Sequence, residues 1–360
     1  MKRRDFIAKG TAGALIAGAA AGAWAAKPKK RYEFKPEKAP FSFKVTVPKP
    51  QGTMPTGELG KTGIMLSKLG FGSHMSPDIL RFTEEREKII REAHDLGVRL
   101  FDVYDIEQKC FQYEPMGRYL KPIINDVLIS ISFQPYDGRT AEQELERDLK
   151  LFGRDHIDLV RLWVESPDNP TFRTLVKFKE QGKVRAIGMM VHDANNLDKA
   201  FATGVPLDFA LLPFNFYHNI CWLGEKGDDF SPLIKTIREK GMGLLTMKPF
   251  AGDFLVTPFI KIAKDLTAGK PVNFPQAAQR YILNSGINAD STLTGMYTLS
   301  HLYENVAAYY NPTMTKEERE LLDNLREAAE SSSQSWLPDH YRWLDRWAPT
   351  SPLNRPTALG

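Results

Sequence analysis

"TEEREKIIREAHDLGVRLFDVYD", residues 83–105, holds one complete structural unit of the chain. Thr83 stands where an N-cap is expected, with Glu84 and Glu85 in the first turn, where free backbone N–H groups favour negative charge. Ile89, Ile90, Ala93 and Leu96 fall on one helical stripe, and Gly97 stops it. "VRLFD" follows as a short apolar run and reads as the end of a buried strand. Past it the chain carries Asp102, Tyr104, Asp105, Glu107 and Lys109, a loop dense in ionisable groups. Helix, glycine, strand and polar loop together make one α/β unit.

The same unit recurs along the chain. Apolar, β-branched runs stand at 68–72, 98–102, 127–131, 157–163, 184–189, 208–214, 243–247 and 291–295. Helical patterns lie between most of them. "TAEQELERDLKLFG" offers Thr140 and Gln143 as a capping box, with Leu145, Leu149 and Leu151 apolar. "PQAAQRYILNSG" opens on a proline and closes on a glycine, as helices prefer. Eight such units at a spacing of roughly thirty residues predict an α/β fold, a (β/α)8 TIM barrel. The rival is a doubly wound sheet, and the lack of a G-x-G-x-x-G after an early strand counts against it.

Flanking segments differ in composition. Residues 1–25 combine a basic start, a small-residue apolar stretch from Thr11 to Ala23 and an Ala23-Trp24-Ala25 site, the layout of a secretory signal. Arg3-Arg4 followed by Asp5-Phe6-Ile7 and Lys9 resembles the twin-arginine export signal. That resemblance implies the twin-arginine machinery as a partner, a periplasmic location and folding before export. The apolar stretch is too short and too rich in Gly and Ala to favour a membrane anchor, so no stable span is expected after cleavage. Residues 26–56, rich in Lys and Pro, read as a linker or a strap on the domain surface. Residues 57–330 form the barrel. The extension 331–360 carries Trp336, Trp343 and Trp347, and is expected to pack on the barrel.

Net charge is +4, of which Lys2, Arg3, Arg4, Lys9 and Asp5 account for +3. The remaining +1 gives no electrostatic basis for nucleic-acid binding. Cys110 and Cys221 are the only cysteines. They make neither a disulfide framework nor a metal cluster, and the sequence leaves open whether they pair.

The strand-end segments resemble the aldo-keto reductase family. "GKTGIMLSKLGFGSHM" is similar to its N-terminal hairpin and first strand, and "AHDLGVRLFD" to its second helix and strand. "GKVRAIGM", "GMGLLTMKPFAGD" and "LTGMYTLSHLYENVAA" are similar to its fifth, seventh and eighth strand regions. The resemblance implies an NAD(P)-linked oxidoreductase barrel that reduces a small-molecule carbonyl at its C-terminal mouth. Hydride transfer builds charge on the substrate oxygen, which a donor must protonate. The family uses a tyrosine for this, acidified by a lysine that an aspartate holds, with a histidine orienting the substrate.

Asp102 matches the family aspartate, in register with Gly117 of the following helix. The tyrosine, lysine and histidine positions hold Glu107, Ser132 and Trp163. The acid mechanism therefore does not carry over unchanged, and Asp102 is left without its lysine. Asp102, Tyr104 and Glu107 are the candidate catalytic residues; Ser132, Trp163 and His192 are the candidate substrate pocket. Three readings follow: an oxidoreductase with a rebuilt site, a different acid–base or metal chemistry on the polar ring of His74, Asp102, Glu107, Glu165, His192, Asp193 and Lys248, or a silent, repurposed barrel that binds a cofactor, ligand or partner. No His-x-x-x-His or Cys-x-x-Cys spacing supports a metal. For the cofactor, Asn215 and Asn305 match family contacts to nicotinamide and adenine. Lys248 and Gly252 in "MKPFAGD" suit a pyrophosphate. Gly295, Tyr297 and His301 stand where a cation would grip a 2′-phosphate, so the phosphate clamp is weak.

Overall fold

A computed structural model describes residues 42–73, 83–103, 112–135, 138–163, 170–190, 194–216, 231–250, 253–267 and 272–330. Residues 1–25, read from the sequence as an export signal, the C-terminal extension 331–360, and Cys110 and Cys221 lie outside the described residues. Two short antiparallel strands, β1 (Thr56–Glu58) and β2 (Met65–Ser67), make a hairpin. Eight parallel strands follow: β3 (Leu69–Gly72), β4 (Leu100–Val103), β5 (Leu128–Ser132), β6 (Ile157–Trp163), β7 (Val184–Met190), β8 (Phe209–Pro213), β9 (Gly243–Met247) and β10 (Ser291–Gly295). They close in sequence order, with β10 paired to both β9 and β3. This is the (β/α)8 barrel the periodicity predicts, and each of the eight apolar runs overlaps one strand.

The helices that ring it are α1 (Thr83–Asp95), α2 (Tyr113–Leu120), α3 (Ala141–Phe152), α4 (Pro170–Glu180), α5 (Ala194–Ala202), α6 (Ser231–Glu239), α7 (Asp253–Leu266), α8 (Phe274–Asn284), α9 (Leu299–Tyr310) and α10 (Lys316–Glu330). Their starts follow local chemistry. Thr140 accepts from the Gln143 N–H at 3.3 Å, and the Gln143 side chain accepts from the Thr140 N–H at 2.9 Å, completing the capping box. At α8 the cap is Asn273, whose side chain takes the Gln276 N–H at 3.0 Å; Pro275 sits just inside. The stripe Ile89, Ile90, Ala93 and Leu96 is buried.

Strand alternation sorts the side chains into two cores. Phe71, Phe101, Val103, Ile129, Ile131, Val160, Leu162, Ile187 and Met189 face the helices. Leu100, Leu159, Ala186, Phe209, Leu211, Leu245 and Leu293 fill the barrel interior, where Leu59, Ile64 and Leu66 of the hairpin region join them. The hairpin thus stoppers the N-terminal end. Asp290 latches it: its Oδ2 accepts from the N–H of Gly60 at 3.1 Å and of Leu244 at 2.8 Å, and Arg238 pairs with it at 3.0 Å. Leu59 passes against Gly243, where an added Cβ would lie 2.3 Å from its Cδ1.

The described part of the strap, residues 42–55, lies on the domain. The Thr46 N–H donates to Ser300 Oγ on α9 at 2.9 Å. Lys49 pairs with Glu92 of α1 at 2.6 Å, and Met54 is buried in the outer core.

Candidate active site

The strands' C-terminal ends define the mouth. Interior positions there alternate with the outer core, so Leu100 and Asp102 of β4, Ser130 and Ser132 of β5, and Leu159 and Arg161 of β6 point inward. Adjacent strands bring Asp102 opposite Ser130 and Ser132 opposite Arg161.

Asp102 is only 5% exposed, and both its oxygens are engaged within the barrel. Arg161 donates from Nη1 to Oδ1 and from Nη2 to Oδ2, the latter at 3.0 Å. Ser130 Oγ donates to Oδ1 at 2.7 Å and accepts from Arg161 Nη1 at 3.0 Å. A bidentate guanidinium is the geometry that best matches a carboxylate. Burial pushes the Asp102 carboxyl above the usual carboxylate range, while the Arg161 charge and the bonds from Ser130 and Arg161 act against that rise. Asp102 is therefore not left without a cation, as the loss of a lysine from the neighbouring strand implies. The cation arrives from β6 instead, on a side chain that is 1% exposed.

Backbone contacts fix the three strand ends. The Ser73 N–H donates to the Asp102 carbonyl at 2.9 Å, and the Phe133 N–H to the Arg161 carbonyl at 2.8 Å. The buried Tyr113 hydroxyl of α2 donates to the Ser132 carbonyl. Ser132 itself is 7% exposed.

On the opposite rim, Asn215 follows β8, is fully buried, and donates from Nδ2 to the Lys248 carbonyl at 3.1 Å. Lys248 adopts φ 57°, a left-handed conformation that costs a non-glycine residue about 1 kcal/mol. Asn215 thus holds the turn after β9 in place. Asn305 sits away from the surface at 2% exposure. Its Oδ1 accepts from Gln279 at 2.6 Å and its Nδ2 donates to the His301 carbonyl at 2.7 Å. Gln279 also donates to Thr294 at 3.0 Å and accepts from the Tyr309 hydroxyl at 3.0 Å. Here the amide expected to contact adenine is a member of a hydrogen-bonded network behind β10.

The structure thus gathers Asp102 and Ser132 on one side of the mouth and Asn215 and Lys248 on the other. Tyr104, Glu107, His192 and Gly252 lie outside the described residues, as do His74, Glu165 and Asp193; Trp163 ends β6 in backbone, and its side chain is outside the described set. Among the described residues no three His, Cys, Asp or Glu side chains converge as metal ligands. Arg161 and Ser130 were the residues that sequence reasoning missed. The signal was partial: Arg161 shares its phase with Leu159 and Trp163, while Asp158 shares the other with Val160 and Leu162, so one charge of "IDLVRLW" enters the interior but alternation alone does not say which.

The profile of the Aldo/keto reductase family matches residues 68–327. The chain belongs to the aldo/keto reductase family. A crystal structure of a protein from Pseudomonas aeruginosa, provisionally assigned to the aldo-keto reductases, superposes with a TM-score of 0.56 at 21% identity, covering 73% of this chain and 98% of that one. A second structure from that organism, with the same provisional assignment, gives 0.56 at 21% identity, covering 72% of this chain and 97% of its own. At this identity the likeness extends to the fold, and the family assignment rests on the profile.

Proposed function

We propose that this aldo/keto reductase family member is an exported, NAD(P)-linked oxidoreductase with a rebuilt proton-delivery site. The observation that carries this reading is the buried Asp102–Arg161 pair. A buried ion pair is often no better for stability than well-packed apolar residues of the same volume. A barrel with no use for charge beneath its mouth therefore gains little by keeping one. Here the carboxylate–cation pair that the family chemistry relies on persists through a different strand. Tyr104, two residues beyond Asp102, is the candidate hydroxyl donor, with Glu107 as the alternative acid.

The nicotinamide side of the mouth fits a cofactor better than the adenosine side. Asn215 and Lys248 stand at the ends of β8 and β9. The Asn305 amide is bonded within the protein, and the stretch from Gly295 to Asn305 contains no Lys or Arg. The residues favour a dinucleotide without a 2′-phosphate, so NAD(H) over NADP(H). The cofactor would supply the hydride; the chain's own part is to orient the substrate and deliver the proton.

A second reading is a silent barrel that binds a ligand without turning it over. The engagement of both Asp102 oxygens inside the barrel favours it. One experiment separates the two. Purified protein is titrated with NADH and NADPH, then assayed with a panel of carbonyl compounds. Turnover that disappears in the Asp102→Asn/Tyr104→Phe double variant supports the first reading. Binding without turnover supports the second, and turnover unchanged in the double variant removes this site from the mechanism.

A further inference from the structure

We propose that Arg161 acts on this site as the counter-charge of Asp102, and that Arg161 and Ser132 are a coupled pair in which the small side chain ending β5 admits the cation facing Asp102 from the interior of β6. The inference rests on the register used for the proposed function. Arg161 and Asp102 are not on neighbouring strands; β5 lies between them. Two inter-strand steps span about 10 Å, which a long arginine covers only if nothing tall stands between. The inner face of β5 offers two serines there. Ser130 is opposite Asp102 and bonds both partners of the pair. Ser132 is the direct register partner of Arg161. A lysine in place of Ser132 would rise in the path of the guanidinium and place a second cation in the same row. Two like charges facing one carboxylate repel.

The other side of the row is closed. Gly188 is the register partner of Arg161 on β7, and an added Cβ there would lie 2.3 Å from the Phe209 ring. The guanidinium is thereby directed over β5 toward Asp102. On the β3 side Asp102 faces Gly72, which brings no charge. Among the described residues Arg161 is the charged group that acts on Asp102.

The test needs neither substrate nor cofactor, so its failure is distinct from a failure of the proposed activity. Equilibrium unfolding is measured from pH 4 to 8 for the wild type, Arg161→Met, Ser132→Lys, Ser132→Lys/Arg161→Met and Asp102→Asn/Arg161→Met. Removing the guanidinium raises the folded pKa of Asp102 further. The native state then holds its proton at pH values where the unfolded chain has released it. Stability of Arg161→Met should fall as pH rises through this widened window, by up to tenfold in the unfolding constant per pH unit relative to wild type. Asp102→Asn/Arg161→Met should fold and lack that extra slope. Ser132→Lys should be destabilising in the wild-type background and stabilising in the Arg161→Met background, where the introduced ammonium can pair with Asp102. The same effect of Ser132→Lys in both backgrounds would overturn the coupling. An Arg161→Met profile parallel to wild type would overturn the counter-charge role, as would an Asp102→Asn/Arg161→Met variant that fails to fold.

Discussion

Asp290→Ala should loosen the hairpin that closes the barrel's N-terminal end. The change removes a carboxylate that is 6% exposed and takes the N–H groups of Gly60 and Leu244 as well as Arg238. Hydrogen bonds to a charged acceptor are worth about 1.5–3 kcal/mol each. The two backbone bonds together therefore represent about 3–6 kcal/mol. Arg238 is partly exposed and keeps its bond to the Asn288 carbonyl, so its share is at most about 1 kcal/mol. Water reaching the vacated site recovers part of this, leaving an expected loss of about 3–5 kcal/mol. Urea unfolding at constant m reads it as a lower midpoint. Amide exchange should accelerate at Gly60 and Leu244 before it does at mid-barrel strands. A second signature is proton linkage at Lys68, whose amine burial already depresses and Asp290 partly restores. Without Asp290 it falls further. The unfolded chain then binds more protons than the native state below the ordinary lysine pKa, so the variant should regain stability as pH rises through that window. A loss under about 1 kcal/mol, or unchanged exchange at Leu244, would refute the latch.

Two other perturbations test separate parts of the structure. Gly117→Ala places a Cβ 2.2 Å from the Leu151 carbonyl oxygen, so α2 and α3 must separate, with an expected cost of about 1–3 kcal/mol in thermal or denaturant unfolding. Burial raises the Glu304 carboxyl above its usual range against a bond from Asn273. The native state keeps that proton longer, so stability should fall as pH rises just above the ordinary glutamate pKa, and Glu304→Gln should remove this component of the profile.

How much of this was legible in the residues differs between fold and site. The strands are buried on both faces and so read as apolar runs, which is why every one of the eight was visible. Caps were legible where the side chain bonds within four residues, as at Thr140, and less so at α8, where Pro275 drew attention from Asn273. The hairpin's latch was not visible, because Asp290 and Gly60 are brought together only by barrel closure. Arg161 illustrates the same limit. Its phase opposes that of Asp158 without saying which of the two points inward, and its partner on β4 is set by the stagger of three strands. Asn305 is legible as a motif match to a cofactor contact, but its bonds to Gln279 and the His301 carbonyl, made by packing between α8, α9 and β10, were not. The export segment, Tyr104 and Glu107 stand as sequence expectations.

The decisive measurement is cofactor-linked turnover by the purified full-length protein. NADH should bind saturably and more tightly than NADPH, a carbonyl substrate should be reduced at its expense, and Asp102→Asn/Tyr104→Phe should lower the rate by at least about 10²-fold. A protein that binds neither nucleotide, or a double variant as fast as the wild type, would contradict the account.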